Sequence, residues 1–507
     1  MSDLNMFDYL SGIENDFLEG NIPSDYTNNR VSKIADFVFY ETSTIENAEF
    51  NNVEYVGNSA FINCSNLVNI SLPKCKEIGN EAFSGCTSLA NFDFLNTCEV
   101  LGYQSSGYTG YESYKAIFNG CSNFMSELSL PNLKTINAYA FFSMSGIEKI
   151  DLPNCEYIGK GAFSGCDNIS YINLPNCECL GSAVFGYASL SQVTYMNLQN
   201  VKRIESPLSS VLLLPSESFI FNSNVEYIGD AVFYGASYVQ QKSSVTYSKL
   251  SYIGGVNANL FDNCETVNLP ECLHIGSELF YNHSGLKNVS LPKCKELGTY
   301  VFNMCSGLSS IKLPECSTIG KGCFSNCISL SSISAPKCSS IGDAAFCFCS
   351  NLESIDLPSC TDLAPYIMWG QYAYGIFYRC SKLKNVSIPV CKTIGSCVFE
   401  SCVALSYIEL PVCSTLTSRA FANCSNLEVI KFGASAITFW STSYVFTGCS
   451  KIREVHFSNL TDVPYVTSST IFPTNNLEHI YVPSSMVSKF LSSTYWAYYS
   501  SYISGIY

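Results

Sequence analysis

A spacing of 22 residues runs through most of this chain and limits what it can become more than any other feature. The tetrad Leu-Pro-x-Cys opens at Leu152, Leu174, Leu269, Leu291, Leu313, Leu357 and Leu410, with variants opening at Ala335 and Ile388. Val31, Val53 and Cys75 are 22 apart, as are Phe39, Phe61 and Phe83. The unit reads L-x-x-I-x-L-P-x-C-x-x-I-G-x-x-A-F-x-x-C, and residues 67–86, LVNISLPKCKEIGNEAFSGC, match it at nearly every marked position. Followed from Val31 to Leu460, the frame holds about nineteen units, with residues 199–264 the weakest stretch. A period near 22 is the signature of a solenoid, in which each unit buries its apolar side only against its neighbours.

The spacing inside the unit predicts its local structure. Ile311 and Leu313 alternate as in a strand, and stacked copies form a parallel sheet with rungs about 4.8 Å apart. Proline then ends the strand, because it has no N–H for a ladder. The Ile-Gly segment reads as a second short strand or extended turn, with the glycine opening a bend. Phenylalanine is the large filler of the core. The predicted fold is mainly β, with short turns and 3-10 segments.

Most of the 27 cysteines fall into this frame. Eleven sit in the Leu-Pro-x-Cys position and twelve follow the phenylalanine by three residues; Cys179, Cys323, Cys347 and Cys397 fall elsewhere. Val31, Val53, Leu133, Val201, Val225 and Leu250 take the first position in other units, which marks it as an apolar packing site where cysteine acts as a small buried hydrophobe. Zinc chemistry would want Cys-x-x-Cys pairs or cysteine with histidine. No such pair occurs, and His274, His283, His456 and His479 do not repeat with the cysteines. No metal and no cofactor are expected, and the thiols are expected to stay reduced, as in a reducing or anaerobic setting.

Charge and composition narrow the function. The formal net charge is −15, with 27 Lys and Arg, which disfavours nucleic acid and anionic membranes as partners. No apolar run approaches the ~20 residues of a membrane span. The opening residues, MSDLNMFDYLSGIENDFLEG, lack the basic and apolar regions of a secretory signal. Leu4, Phe7, Leu10, Ile13 and Phe17 recur at helical spacing, so residues 1–21 read as an amphipathic cap over the first rung or as an attachment segment. The solenoid is expected over 22–480 and a C-terminal cap over 481–507. Neither G-x-S-x-G, H-E-x-x-H nor a Walker loop is present, so an enzyme is not expected.

Binding is expected instead, on one of two surfaces. The outward strand positions, such as Tyr171 with Asn173 and Tyr407 with Glu409, are mixed and polar, like an ordinary solvated sheet face. The second surface is a set of insertions between Ile-Gly and the phenylalanine. They carry Tyr103, Tyr108, Tyr111 and Tyr114, then Tyr366, Trp369, Tyr372 and Tyr374, then Trp440 and Tyr444. All enter at the same point of the unit, so they emerge along one side. Tyrosine with serine and glycine supplies rigid amphipathic rings on an adaptable backbone, the composition of a paratope. The same rings would also serve as covers folded over the body.

The repeated frame resembles the BspA-like leucine-rich repeat family. The resemblance covers about residues 22–482, and residues 477–507, LEHIYVPSSMVSKFLSSTYWAYYSSYISGIY, look like the family's closing segment. It implies a leucine-rich repeat solenoid with helical caps. At the C-terminus Ser484 or Ser485 would cap a helix, and Met486, Phe490, Leu491 and Trp496 would cover the last rung. The family also implies adhesion or receptor binding at a cell surface, with a protein or polymer ligand and no catalytic residues. An intracellular interaction scaffold and a host-binding protein on a virus particle are the alternatives.

Overall fold

The computed structural model describes residues 22–102, 116–188, 190–205, 219–221, 223–232, 243–257, 260–363, 374–440 and 444–506. The chain divides into two compact units, Met1–Gln240 and Gln241–Tyr507. Both are built from the same rung, and the rungs total about nineteen.

One rung in the second unit shows the construction. The three-residue strand Ser310–Lys312 pairs in parallel with Ser332–Ser334, putting Ser310 beside Ser332 and Ile311 beside Ile333. Ile311 points inward and its neighbours point out, as the period of two requires. Leu313 then opens a tight turn, closed by the Cys316 N–H on the Leu313 carbonyl at 3.3 Å, with Pro314 inside it. The two-residue strand Thr318–Ile319 pairs with Ser340–Ile341. In the first unit the equivalent ladders hold the same register, as in Lys149↔Tyr171 and Tyr157↔Cys179. There the three-residue ladder is interrupted once by the 3-10 helix Asp93–Thr97.

Except at Gly102, with φ of +80°, the glycine of the Ile-Gly position does not open a bend through left-handed backbone. It is required by close approach: a Cβ on Gly79 would lie 2.6 Å from the backbone nitrogen of Asn58 in the preceding rung.

A third side closes the rung, and the sequence frame does not announce it. Backbone N–H groups two residues apart donate to the next rung: Gly322 to Asp343, Phe324 to Ala345 and Asn326 to Cys347, at 2.7–2.8 Å. The alternate groups bond within the rung, Ser325 to Gly322 and Cys327 to Phe324. This needs left-handed residues on both sides of the phenylalanine, and Gly322 and Asn326 have φ of +58° and +60°. The conformation recurs at Ser59 and Asn63, Tyr300 and Met304, and Arg419 and Asn423.

The core is a column of rings. In the first unit Phe39, Phe61 and Phe83 stack at 4.7 and 5.3 Å between centroids. In the second, Phe302, Phe324 and Phe346 stack at 5.1 and 5.3 Å. The column continues beneath an insertion undisturbed, since Phe346 and Phe377 are also 5.3 Å apart. The stacking of the core is therefore the same across this insertion as between uninterrupted rungs.

The cysteines do more than fill volume. After the phenylalanine, the thiols donate to the carbonyl of the phenylalanine one rung back, as from Cys64 to Phe39, Cys305 to Phe280 and Cys327 to Phe302, all at 2.9 Å. His283 takes the cysteine's place in its rung, and its Nε2 bonds the same carbonyl, that of Phe261, at 2.6 Å. The bond is common at this position but not required, since buried Met144 and Ala188 stand there after Phe141 and Phe185. In the first ladder the thiol reaches a carbonyl two residues on, as from Cys316 to Thr318 at 3.2 Å. Valine or leucine replaces it elsewhere, so that bond is dispensable. All 27 cysteines are free thiols, and all but the half-buried Cys179 and Cys397 are buried. Burial pushes Cys305 up to about 12 and Cys316 up to about 11, which leaves almost no thiolate at neutral pH.

His283 makes this donor ladder sensitive to acid. Burial lowers its pKa, more than the bond to Phe261 and the charge of Asp262 raise it. The unfolded chain therefore binds a proton more readily than the folded one. Stability from this group is complete above its ordinary value near 6.5 and falls as pH drops below it. In thermal melts, His283→Cys is expected to match the parent at pH 8 and to melt higher at pH 5.5. An equal difference at both values would show that protonation is not the cause.

The C-terminal end is closed by less helix than expected. The strand His479–Pro483 leads into a 3-10 turn, Ser484–Met486, then a six-residue α-helix, Val487–Ser492, and a second 3-10 turn, Trp496–Tyr499. The chain then adds a parallel strand, Ile503–Ile506, beside His479–Pro483. Met486, Phe490 and Trp496 are buried as expected, but Leu491 is 45% exposed, and Tyr499 is buried instead. Neither Ser484 nor Ser485 caps the helix; the 3-10 turn runs straight into it, with Met486 in helical backbone before Val487. The stripe from Leu4 to Phe17 lies outside the described residues.

Candidate interaction surface

Three of the ten aromatic residues singled out in the insertions are described: Tyr374, Trp440 and Tyr444. Tyr103, Tyr108, Tyr111, Tyr114, Tyr366, Trp369 and Tyr372 lie outside the described residues. Each of the three precedes a core phenylalanine, Phe377 or Phe446, on the side of the rung that carries the left-handed residues.

Tyr374 is 48% exposed and joins a cluster that spacing alone did not reveal. Its ring lies 5.4 Å from Phe348, edge to face, and 4.9 Å from Tyr378. Phe348 and Tyr378 meet at 5.5 Å and 84°. The Arg379 guanidinium sits over both, 5.7 Å from the Phe348 centroid and 5.3 Å from that of Tyr378. On the next rung the buried Glu400 carboxylate accepts from Nε and Nη2 of Arg419. Gly375 fits because a Cβ there would collide with the Cys397 backbone.

Trp440 and Tyr444 are both 56% exposed. Trp440 pairs with Tyr465, whose ring centroid is 6.3 Å away and which is equally exposed. The backbone holds this pair. Phe439 donates to the Tyr465 carbonyl, Tyr465 to that of Ile437, and Trp440 to that of Leu416, at 2.9–3.1 Å. Ile437, not Ser435, fills the interior of this rung, which displaces the frame by two residues.

The strand face is a different surface. Its polar residues largely satisfy one another along the axis. Asn173 donates to Asp151 and Asn197 to Asn173, each at 2.9 Å, and Asn69 repeats the pattern onto Asn47 at 2.8 Å. Tyr171 stacks on Tyr195 at 4.8 Å with Lys149 above it. Lys–Glu pairs one rung apart, such as Lys293–Glu271 at 2.7 Å and Lys337–Glu315 at 2.7 Å, are about half exposed and contribute little to stability. Among the described residues no group of three His, Cys, Asp or Glu side chains is arranged to hold a metal ion.

A parallel rung of 22 residues with an L-x-x-I-x-L strand, repeated about nineteen times, defines a leucine-rich repeat solenoid. The sequence matches the BspA type leucine rich repeat region, whose family model contains six copies, over residues 13–115, 114–208, 213–294, 273–370 and 370–501. The chain belongs to this family. No curated protein matches it. Among solved structures it is similar to a leucine-rich repeat protein from Bacteroides ovatus, at 21% identity over 85% of this chain and 83% of that one, with a TM-score of 0.33. It is also similar to a leucine rich cell surface protein from Faecalibacterium prausnitzii, at 16% identity over 86% and 88%, with a TM-score of 0.25. The Treponema pallidum leucine rich repeat protein is 22% identical over 32% of this chain and 77% of that one, with a TM-score of 0.27. No helix among the described residues is long and apolar enough to cross a membrane.

Proposed function

We propose that this chain is a non-enzymatic binding protein of the adhesin or receptor-binding type, which takes a protein or polymer partner on the insertion-bearing side of the solenoid. The observation that carries the reading is the pair of aromatic clusters at the insertion points, exposed Tyr374 with half-buried Phe348 and Tyr378, and exposed Trp440 with exposed Tyr465. Contiguous exposed rings are costly to keep in water, and interfaces concentrate their energy in a few such anchors. Trp369, Tyr366 and Tyr372, next to Tyr374 in the chain, and Tyr103 to Tyr114 in the other large insertion, extend the same proposal. The self-satisfied strand face supports it by contrast, since a partner there would first have to displace existing hydrogen bonds.

Fluorescently labelled protein binding to intact cells, read by flow cytometry, tests this. Trp440→Ala and Tyr374→Ala are each expected to weaken binding by about 1–2 kcal/mol, or roughly five- to thirtyfold, with the melting temperature nearly unchanged. Loss of stability together with binding would make the rings structural covers. Loss of neither would move recognition to the strand face, where Tyr171 and Tyr407 are the next residues to change.

A further inference from the structure

The backbone position two residues after the core phenylalanine is left-handed in rung after rung. Asn63, Gly85, Asn326 and Gly448 hold it, with φ of +60°, +77°, +60° and +80°. These residue types tolerate such backbone best, whereas bulky side chains are disfavoured there. Glu41, Tyr187 and Met304 also stand there, at +53°, +57° and +61°, but each singly, whereas Phe348 at +60° and Arg379 at +59° place large residues on two consecutive rungs. The inter-rung bond from the Phe348 N–H to the Tyr378 carbonyl, 2.8 Å, locks the two rungs in register and brings these side chains together. Unfavourable backbone retained at two neighbouring positions, with side chains that converge at the surface, points to use.

What converges there is specific. Arg203, Arg419 and Arg453 each make an ion pair, with Glu205, Glu400 and Glu428 respectively. Arg379 makes none among the described residues, and the nearest buried carboxylate, that of Glu400, is already engaged by both arms of Arg419. Instead the Arg379 guanidinium is held against the two nearly perpendicular rings of Phe348 and Tyr378. A guanidinium fixed against rings keeps N–H donors at its edge for an outside acceptor, and the geometry of that edge matches a carboxylate. Exposed Arg30 likewise has no acidic partner among the described residues, so it is the place of Arg379 beside the rings of Phe348 and Tyr378 that sets it apart.

We infer that Arg379 is the anchor for a carboxylate of a protein partner, an Asp or Glu side chain presented beside an aromatic or aliphatic residue that packs on Tyr374. The inference rests on the reading of this side as the binding surface. A sugar ring is the poorer occupant, because it needs an open aromatic face and the guanidinium lies over those of Phe348 and Tyr378.

Selection of random phage-displayed peptides on the full-length protein tests this, with every recovered peptide then measured on Arg379→Gln and Tyr374→Ala. The recovered peptides are expected to share an acidic residue next to an aromatic or aliphatic one. Arg379→Gln is expected to weaken them at least about tenfold, and Arg379→Lys less, since a point charge keeps attraction without the fork. Changing the peptide's Glu to Gln should cost the same, and the two changes together no more than either alone. An unchanged melting temperature for Arg379→Gln excludes misfolding as the cause. Peptides that bind parent and Arg379→Gln alike but fail on Tyr374→Ala would overturn the carboxylate anchor and leave the aromatic surface standing. Peptides indifferent to both variants, or no enrichment at all, would overturn both. Arg379-dependent binding of a uronate polysaccharide without peptide enrichment would overturn the protein partner.

Discussion

Phe324→Ala is expected to destabilise the second unit by about 3–5 kcal/mol, the sum of lost transfer energy and the cavity left behind. Phe324 is fully buried and lies between two other rings, 5.1 Å from Phe302 and 5.3 Å from Phe346. Its removal therefore interrupts a column whose neighbours are held by inter-rung backbone bonds on the third side and have little room to collapse. Chemical denaturation of the parent and of Phe324→Ala and Cys316→Val variants measures this. Cys316→Val should cost roughly 1 kcal/mol, because volume nearly matches and the thiol's bond to Thr318 is one that other rungs do without. Equal large losses at both positions would show that Cys316 has a role beyond packing. Coupling in repeat proteins is between nearest neighbours, so hydrogen exchange should loosen first around Phe302 and Phe346 rather than uniformly.

The second large effect is expected at the C-terminal end. Trp496 is fully buried against Phe457, Phe490 and Tyr499, with centroids 5.0–6.0 Å away, and its Nε1–H donates to the Pro464 carbonyl at 3.0 Å. Trp496→Ala should cost about 3–5 kcal/mol by the same cavity argument, with the loss of that hydrogen bond added. Leu491→Ala, at an exposed position of the same cap, should change stability by about 0.5 kcal/mol or less. The cap has a second anchor in Tyr499, whose hydroxyl donates to the Phe472 carbonyl and accepts from the Phe472 N–H, at 3.0 and 2.9 Å. Losses of similar size at Trp496 and Leu491 would mean that the cap is held by general hydrophobic cover rather than by these contacts.

Both expectations draw on residues that spacing had already marked. Phe324 was placed in the core by its recurrence, and Trp496 by its place after the last strand. Leu491 and Tyr499 exchanged roles, because a cap of six helical residues between two 3-10 turns does not keep the 3.6-residue phase that a longer helix would impose. The final strand, Ile503–Ile506, had no signal of its own, since a four-residue ISGI segment becomes a strand only when an edge such as His479–Pro483 is present to pair with it.

The candidate surface was legible to a similar degree. Tyr374, Trp440 and Tyr444 stood out by composition, while Phe348, Tyr378, Arg379 and Tyr465 did not. A weak signal for two of the four was present: where Asn63, Gly85 and Asn326 stand, Phe348 and Arg379 are large residues on consecutive rungs, although Tyr187 and Met304 also take that position. Its meaning depended on the third ladder, which has no consensus residue because the alternation of backbone sign is shared by glycine, glutamate, tyrosine and arginine alike.

By itself, the sequence determined the rung. Its 22-residue period, its two inward strands, its column of phenylalanines and its family membership follow from side chains that recur in fixed phase, since each repeat meets the same neighbours. Only the tertiary structure decided what the unmarked positions do. Whether a cysteine is filler or a donor to the rung below, and which exposed rings gather round an arginine, depends on stacking residues that are distant in the chain. That adjacency arises from inter-rung hydrogen bonds, and no local pattern encodes it.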